Sequence, residues 1–248
     1  MTVLEVRNLS KRFGGVFAVT DVHLHVQKGE LLGLFGPNGA GKTTLFNLIS
    51  GTLKPDSGEI FFFGEKITYL PPHVRARKGI ARTFQIVQPF GELTVLDNVL
   101  VPLAQQELTR LLPLRPYDSL ARRKQAMEIL ELVGLAAWAH ERARNLPLGL
   151  LKLLEVARSL ALQPKLLLLD EPLAGLHLQE SEQLLDVLLS LRGQVTMVLV
   201  EHNVRMALPV CDRAVVMDAG RVIAEGNPEQ VRRDPQVIQA YLGEREDA

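Results

Sequence analysis

Residues 36–44 read GPNGAGKTT, between a short apolar run, Leu31–Phe35, and a stretch with helical spacing, Leu45, Leu48 and Ile49, that closes at Gly51. This order calls for a strand, a glycine-rich turn and a helix in succession. Gly36, four residues, then Gly41-Lys42-Thr43 is the pattern of a phosphate-binding loop. Glycines let the backbone curl so that several N–H groups face one concavity, and the helix that follows adds its positive end. Gly36, Pro37, Asn38, Gly39, Ala40, Gly41, Lys42, Thr43 and Thr44 form the candidate cradle. Lys42 can reach β- and γ-phosphates as a mobile point charge, and the Thr43 hydroxyl suits a Mg²⁺ ligand. The bare pattern would occur in roughly one random chain in a hundred of this length, with glycine near 7% usage. A glycine turn capping an ordinary helix is the competing reading; the strand before and the helix after favour the phosphate loop.

The rest of the chain alternates around that unit. Val22, Leu24 and Val26 alternate with polar residues, as in a half-buried strand. From about Leu93 to Leu162 the pattern is helical. Ser119 can cap a helix with Leu120, Met127, Leu130 and Val133 on one face, stopped by Gly134, and Leu111–Asp118, with Pro113 and Pro116, reads as a loop. Strands return at Leu166–Leu169, Val195–Val200 and Ala214–Met217, with a helix on Leu184, Val187, Leu188 and Leu191 between the first two. Asn227-Pro228 and Asp234-Pro235 each read as a helix cap followed by proline at the first helical position. The expected organisation is a nucleotide-binding α/β core, 1–90 and 160–248, with a helical lobe, 91–159, inserted in it.

Composition narrows the function classes. The 248 residues carry a formal net charge of zero, which gives no support to a nucleic-acid binder. Cys211 is the one cysteine, so neither an intrachain disulfide nor a cysteine-based metal site can form. No stretch reaches the roughly 18 apolar residues of a spanning helix, and the start lacks a signal-peptide core. The expectation is a soluble chain without direct membrane insertion, whose membrane role would come through a partner.

Leu166–Leu169 runs into Asp170-Glu171-Pro172. Acids at the C-terminal end of a buried parallel strand stand where α/β sheets bind ligands. Successive strand residues face opposite sides, so the two can take different roles: Asp170 holding Mg²⁺ through water, Glu171 orienting and deprotonating an attacking water. His202 ends the strand Val195–Val200 after Glu201, a good place for a γ-phosphate contact, although a lone histidine is more often structural. Gln85, in Ala81-Arg82-Thr83-Phe84-Gln85, sits at the boundary of the helical lobe.

Together these residues resemble the ABC ATPase family over essentially the whole chain. The likeness rests on GPNGAGKTT, LLLLDEP, Phe13 at the adenine-stacking position, Gln85 at the Q-loop and His202 at the switch position. It implies an α/β P-loop NTPase core of ABC ATPase type with an antiparallel β subdomain, ATP and Mg²⁺ as cofactors, and Gln85 as a further metal contact. It also implies catalytic roles for Glu171, His202, Gln85 and Lys42, transmembrane permease subunits as partners on the inner face of the cell membrane, and a second ATPase subunit closing over two ATP molecules. The family's signature, normally Leu-Ser-Gly-Gly-Gln, corresponds to Leu146-Pro147-Leu148-Gly149-Leu150, which keeps Leu146 and Gly149. Pro147 offers neither hydroxyl nor N–H, so one or two hydrogen bonds to a phosphate are missing, each worth about 1.5–3 kcal/mol; Gly149 and the helix that follows can still supply backbone N–H groups. His177 stands where the family usually has aspartate. IARTFQ, the segment before EILELVGL and the ending NPEQVRRDPQVIQAYLGE resemble the larger ATPase subunit of branched-chain amino acid importers. An exporter ATPase for lipid or polysaccharide, an ABC-type ATPase serving nucleic acid and another P-loop enzyme such as a small-molecule kinase are the rival readings.

Overall fold

The computed structural model describes residues 1–83, 87–105 and 118–242. In chain order the elements are β1 (Thr2–Phe13), β2 (Val16–Gln27), β3 (Leu31–Phe35), α1 (Lys42–Ser50), β4 (Ser57–Phe62), β5 (Glu65–Lys66), α2 (Pro72–Lys78), β6 (Ile80–Arg82), α3 (Val95–Leu103), α4 (Leu120–Leu132), α5 (Leu148–Ala161), β7 (Leu166–Asp170), α6 (Leu178–Leu191), β8 (Met197–Val200), α7 (Val204–Ala207), β9 (Arg213–Asp218), β10 (Arg221–Gly226), α8 (Pro228–Arg233) and α9 (Pro235–Leu242). Two compact units emerge. One holds Met1–Arg82, Lys165–Pro172 and Leu191 onward; the other holds Thr83–Pro164 and Leu173–Ser190. The division at 91 and 159 expected from sequence therefore differs from the compact units, since most of α6 groups with the helices.

The first unit is built on two sheets. An antiparallel sheet has the order β2-β1-β4-β5, and a six-stranded sheet has the order β10-β9-β3-β8-β7-β6. In the second sheet β9, β3, β8, β7 and β6 are parallel, and only β10 pairs antiparallel, at an edge. β3, β7 and β8 are buried at every residue, which is why they read as continuous apolar runs rather than as alternation. β2 carries the half-buried alternation, with Val22, Leu24 and Val26 inward. Leu45, Phe46, Leu48 and Ile49 of α1 join residues of both sheets in one hydrophobic core.

The carboxyl end of α1 is closed by an unusual device. Arg75, fully buried, donates to the carbonyls of Leu48 and Ile49 in the last turn of α1 and to those of Leu70 and Thr68. A cation at a helix C-terminus satisfies carbonyls that have no intrahelical partner. Burial lowers the Arg75 pKa to about 10, leaving the guanidinium charged at neutral pH.

In the helical unit, α3, α4 and α5 pack on one another. Thr94 caps α3, accepting from the Asp97 amide at 3.0 Å, and Ser119 accepts from the Arg122 amide at the start of α4. Leu120 departs from expectation: it is 86% exposed, and the buried stripe of α4 is Ala126 and Leu130, continued by Val133. Six residues before Ala126, at about 100° per residue, put Leu120 roughly 120° off that stripe. Residues 111–117 of the expected loop lie outside the described residues. Val195 and Thr196 precede β8 rather than belonging to it. Asn227 caps α8 in a reciprocal capping box with Gln230, with Pro228 in its first turn. Among the described residues no helix is long and apolar enough to cross a membrane.

Candidate functional site

Parallel register brings the phosphate loop, the acid pair and His202 to the carboxyl ends of three adjacent central strands of the six-stranded sheet. Val200 in β8 pairs with Leu34 of β3 on one side and with Asp170 of β7 on the other. The phosphate loop, the Asp170-Glu171 pair and the Glu201-His202 pair therefore leave adjacent strands at the same level. With neighbouring strands about 4.8 Å apart, Leu34 and Asp170 stand roughly 10 Å from each other across β8. That span suits a triphosphate with its metal.

Two glycines of the loop are there because a side chain cannot be. Gly36 has φ +144°, and a Cβ on it would lie 2.1 Å from the carbonyl oxygen of Met217 in β9. Gly41 has φ +97°, and a Cβ there would lie 2.1 Å from the carbonyl oxygen of Ala18 in β2. The loop is thus pressed against both sheets, and Gly41 opens α1 with no side chain capping it. Pro37 and Ala40 are buried, Asn38, Gly39 and Thr43 are exposed, and Thr44 is half-buried. Lys42 is buried, its Nζ donating to the carbonyls of Gly36 at 2.6 Å and Pro37 at 2.8 Å. The amine is folded over the loop it would serve.

The acids are engaged with cationic or titratable partners. Glu171 is buried and left-handed at φ +47°, a conformation a non-glycine residue adopts at a cost of about 1–2 kcal/mol. Its amide donates to the Val200 carbonyl at 3.0 Å, and its Oε1 lies 2.6 Å from His202 Nε2. His202 in turn has its amide on the Glu201 carboxylate. Asp170 is buried, and its Oδ2 accepts from Arg82 Nη2 at 2.7 Å. Arg82 and its second anchor, Asn47 in α1, were not among the sequence candidates. Their only signal was an arginine ending a strand whose other residues are apolar.

Phe13 ends β1, 48% exposed, with Lys11 Nζ 5.7 Å from its ring centre, and the exposed Phe17 lies on the adjoining strand of the hairpin. A half-exposed ring at a hairpin end can stack on a planar base. Gly149 belongs to the helical unit, in the first turn of α5, where Pro147 takes the capping position in extended conformation without a side-chain cap. A Cβ on Gly149 would meet Glu180 Oε1 at 2.6 Å. The other Glu180 oxygen accepts from the His177 amide at 2.9 Å, so Glu180 ties the start of α6 beside the signature segment. Gln85 lies outside the described residues.

The donor set fits a nucleoside triphosphate and a hard divalent cation. The loop is a cradle that a Cβ would fill, its lysine is within the loop, and the oxygen ligands on offer, the Thr43 hydroxyl and the Asp170 carboxylate, are those that magnesium prefers.

Residues 19–174 match the family model "ABC transporter", and residues 221–247 match "Branched-chain amino acid ATP-binding cassette transporter". The chain is 42% identical over 250 residues to the high-affinity branched-chain amino acid transport ATP-binding protein BraF of Pseudomonas aeruginosa, covering 98% of each. It is 39% identical over 247 residues to the lipopolysaccharide export system ATP-binding protein LptB of Haemophilus influenzae, covering 99% of each. Among solved structures it resembles the ADP conformation of MJ1267, an ATP-binding cassette of an ABC transporter, with TM-score 0.86, 33% identity and 98% of this chain and 99% of that one covered. A dimeric structure of the cassette MJ0796 gives TM-score 0.77 at 28% identity, covering 91% of this chain and 98% of that one. A phosphate loop wedged between two sheets, an acid pair in register with it, and end-to-end likeness to cassettes of this kind place the chain in the ABC transporter family, as one of its ATP-binding and ATP-hydrolysing subunits.

Proposed function

We propose that this subunit energises uptake of branched-chain amino acids, working on the inner face of the membrane through permease subunits and closing with a second ATPase subunit over ATP. The observation that carries the solute class is the match of residues 221–247, a segment outside the ABC core match, to the branched-chain amino acid cassette model. The decisive experiment is reconstitution of the chain with its membrane subunits and a secreted binding protein in proteoliposomes. ATP hydrolysis is expected to rise severalfold with leucine-loaded binding protein and to be unmoved by nucleic acid. The likeness to the export protein LptB supports a second reading, ATP-driven export of a glycolipid. Stimulation by lipopolysaccharide and not by leucine would replace the first reading with the second.

In the proposed mechanism the loop amides of Gly36–Thr44 and Lys42 hold the β- and γ-phosphates, with Lys42 exchanging the Gly36 and Pro37 carbonyls for phosphate oxygens. Phe13 stacks on the adenine. Thr43, Gln85 and, through water, Asp170 are the residues that would hold Mg²⁺, which would neutralise charge on the phosphate oxygens. Glu171 orients the attacking water and takes its proton. His202, already on Glu171 Oε1, keeps that carboxylate aimed and contacts the γ-phosphate. Gly149 and the first turn of α5 present backbone N–H groups to the nucleotide held by the second subunit. ATP bound on both sides favours the closed pair only through its higher affinity for that state.

Pro147 weakens that closure by one hydroxyl donor. Pro147→Ser is expected to lower the ATP concentration for half-maximal association about tenfold, the equivalent of one charge-assisted bond near 1.5 kcal/mol. Sedimentation against ATP concentration in a Glu171→Gln background measures it. An unmoved midpoint would show that the hydroxyl has no part here.

A further inference from the structure

Arg82 ends β6 and lies against two other elements of its unit. Its Nη2 donates to Asp170 Oδ2 at 2.7 Å, at the end of β7. Its Nη1 donates to Asn47 Oδ1 at 2.7 Å and to Ser50 Oγ at 3.1 Å. Asn47 and Ser50 are three apart on α1, hence on one face of the helix that leaves the phosphate loop. The guanidinium stands 5.8 Å from the ring centre of Phe46 in the same helix. The side chains of Arg82 and Asp170 are 11% and 6% exposed, so solvent screens their contact little.

A guanidinium is a planar fork whose donors point in fixed directions. One arm of this fork is on the carboxylate and the other on the loop's own helix. The fork therefore fixes the position of the Asp170 carboxylate relative to α1. The strand ladder does not do this alone, because it places the Asp170 backbone and leaves the side chain torsions open.

We infer that Arg82 is a positioning residue: it braces Asp170 against the phosphate-loop helix and so sets the affinity of the site for its divalent cation. The inference rests on the reading of Asp170 as a metal-holding residue. Two effects of the guanidinium oppose each other. Its charge repels a nearby cation, and its fork pre-aims the carboxylate that receives it. Outer-shell partners that orient a ligand typically contribute about 10–100-fold in metal affinity. The fork is hydrogen-bonded to Asp170, Asn47 and Ser50, so its removal loosens the carboxylate's aim, and this loss of orientation sets the sign expected below.

The test is Mn²⁺ affinity in the presence of ADP, read by electron paramagnetic resonance without turnover, on wild type, Arg82→Met, Arg82→Lys and Asp170→Asn. Arg82→Met is expected to bind Mn²⁺ about tenfold more weakly, with ADP affinity in EDTA unchanged. Arg82→Lys, which keeps the charge and loses the fork, is expected to stay near Arg82→Met. Where Arg82→Met does not fold, Asn47→Ala/Ser50→Ala removes the far anchors and leaves the ion pair, and about a threefold loss is expected, part of the same effect. Equal or tighter Mn²⁺ binding in Arg82→Met, or wild-type affinity in Arg82→Lys, overturns the brace. Equal affinity in the double variant does the same. Full Mn²⁺ affinity in Asp170→Asn overturns the metal reading of Asp170 and the brace with it, which separates the two failures.

Discussion

Glu171→Gln is expected to bind ATP as wild type does and to hydrolyse it about 10²–10⁴ times more slowly, the usual contribution of a positioned general base. The substitution is nearly isosteric, so the buried, left-handed position and its amide bond to Val200 are retained. The amide oxygen can still accept a hydrogen bond from His202 but cannot take a proton from water. ATP should then persist on the subunit and hold a closed pair that wild type reopens. Single-turnover phosphate release gives the rate, and gel filtration with ATP and Mg²⁺ gives the trapped pair. A rate within threefold of wild type would remove Glu171 from the role of base and leave His202 as the group to test.

Lys42→Ala should abolish productive ATP binding. The amine is the one cation that the loop itself carries, since the other residues of Gly36–Thr44 are uncharged. Losing two charge-assisted hydrogen bonds to phosphate costs about 3–6 kcal/mol, or roughly 10²–10⁴-fold in affinity. A second cost adds to this. In the structure Nζ satisfies the Gly36 and Pro37 carbonyls, and the shortened side chain leaves the loop to rearrange around them. Equilibrium titration with a fluorescent ATP analogue measures the loss, and circular dichroism separates it from unfolding. ATP affinity within a few-fold of wild type would mean that the loop is not the phosphate site.

These two residues illustrate which signals a sequence transmits. The strand, glycine-rich turn and helix around Lys42 were legible because such a loop is contiguous: its glycines, its lysine and the helix after it follow one another in the chain. Asp170 and Glu171 were legible as a strand end, since β7 is buried on both faces and so reads as an unbroken apolar run. The face of α4 was partly misread. Leu120 satisfies the composition of a core helix but stands at its first position, outside the stripe that packing selects. The cap of α8 was legible as Asn227-Pro228 because caps are local, whereas the reciprocal bond from Gln230 came only with the structure.

Arg82 was not legible as a partner of Asp170, because the two are 88 positions apart and neither belongs to a spacing rule that links them. The same holds for Glu171 and His202, 31 positions apart. From the residues alone follow the strand–loop–helix, the buried strands and the types of chemical group at their ends. Only the tertiary structure decides which groups meet, because parallel strand order is set by crossovers and long-range packing, and these leave no period in the chain. Val200, pairing with Leu34 on one side and Asp170 on the other, is where that decision is made.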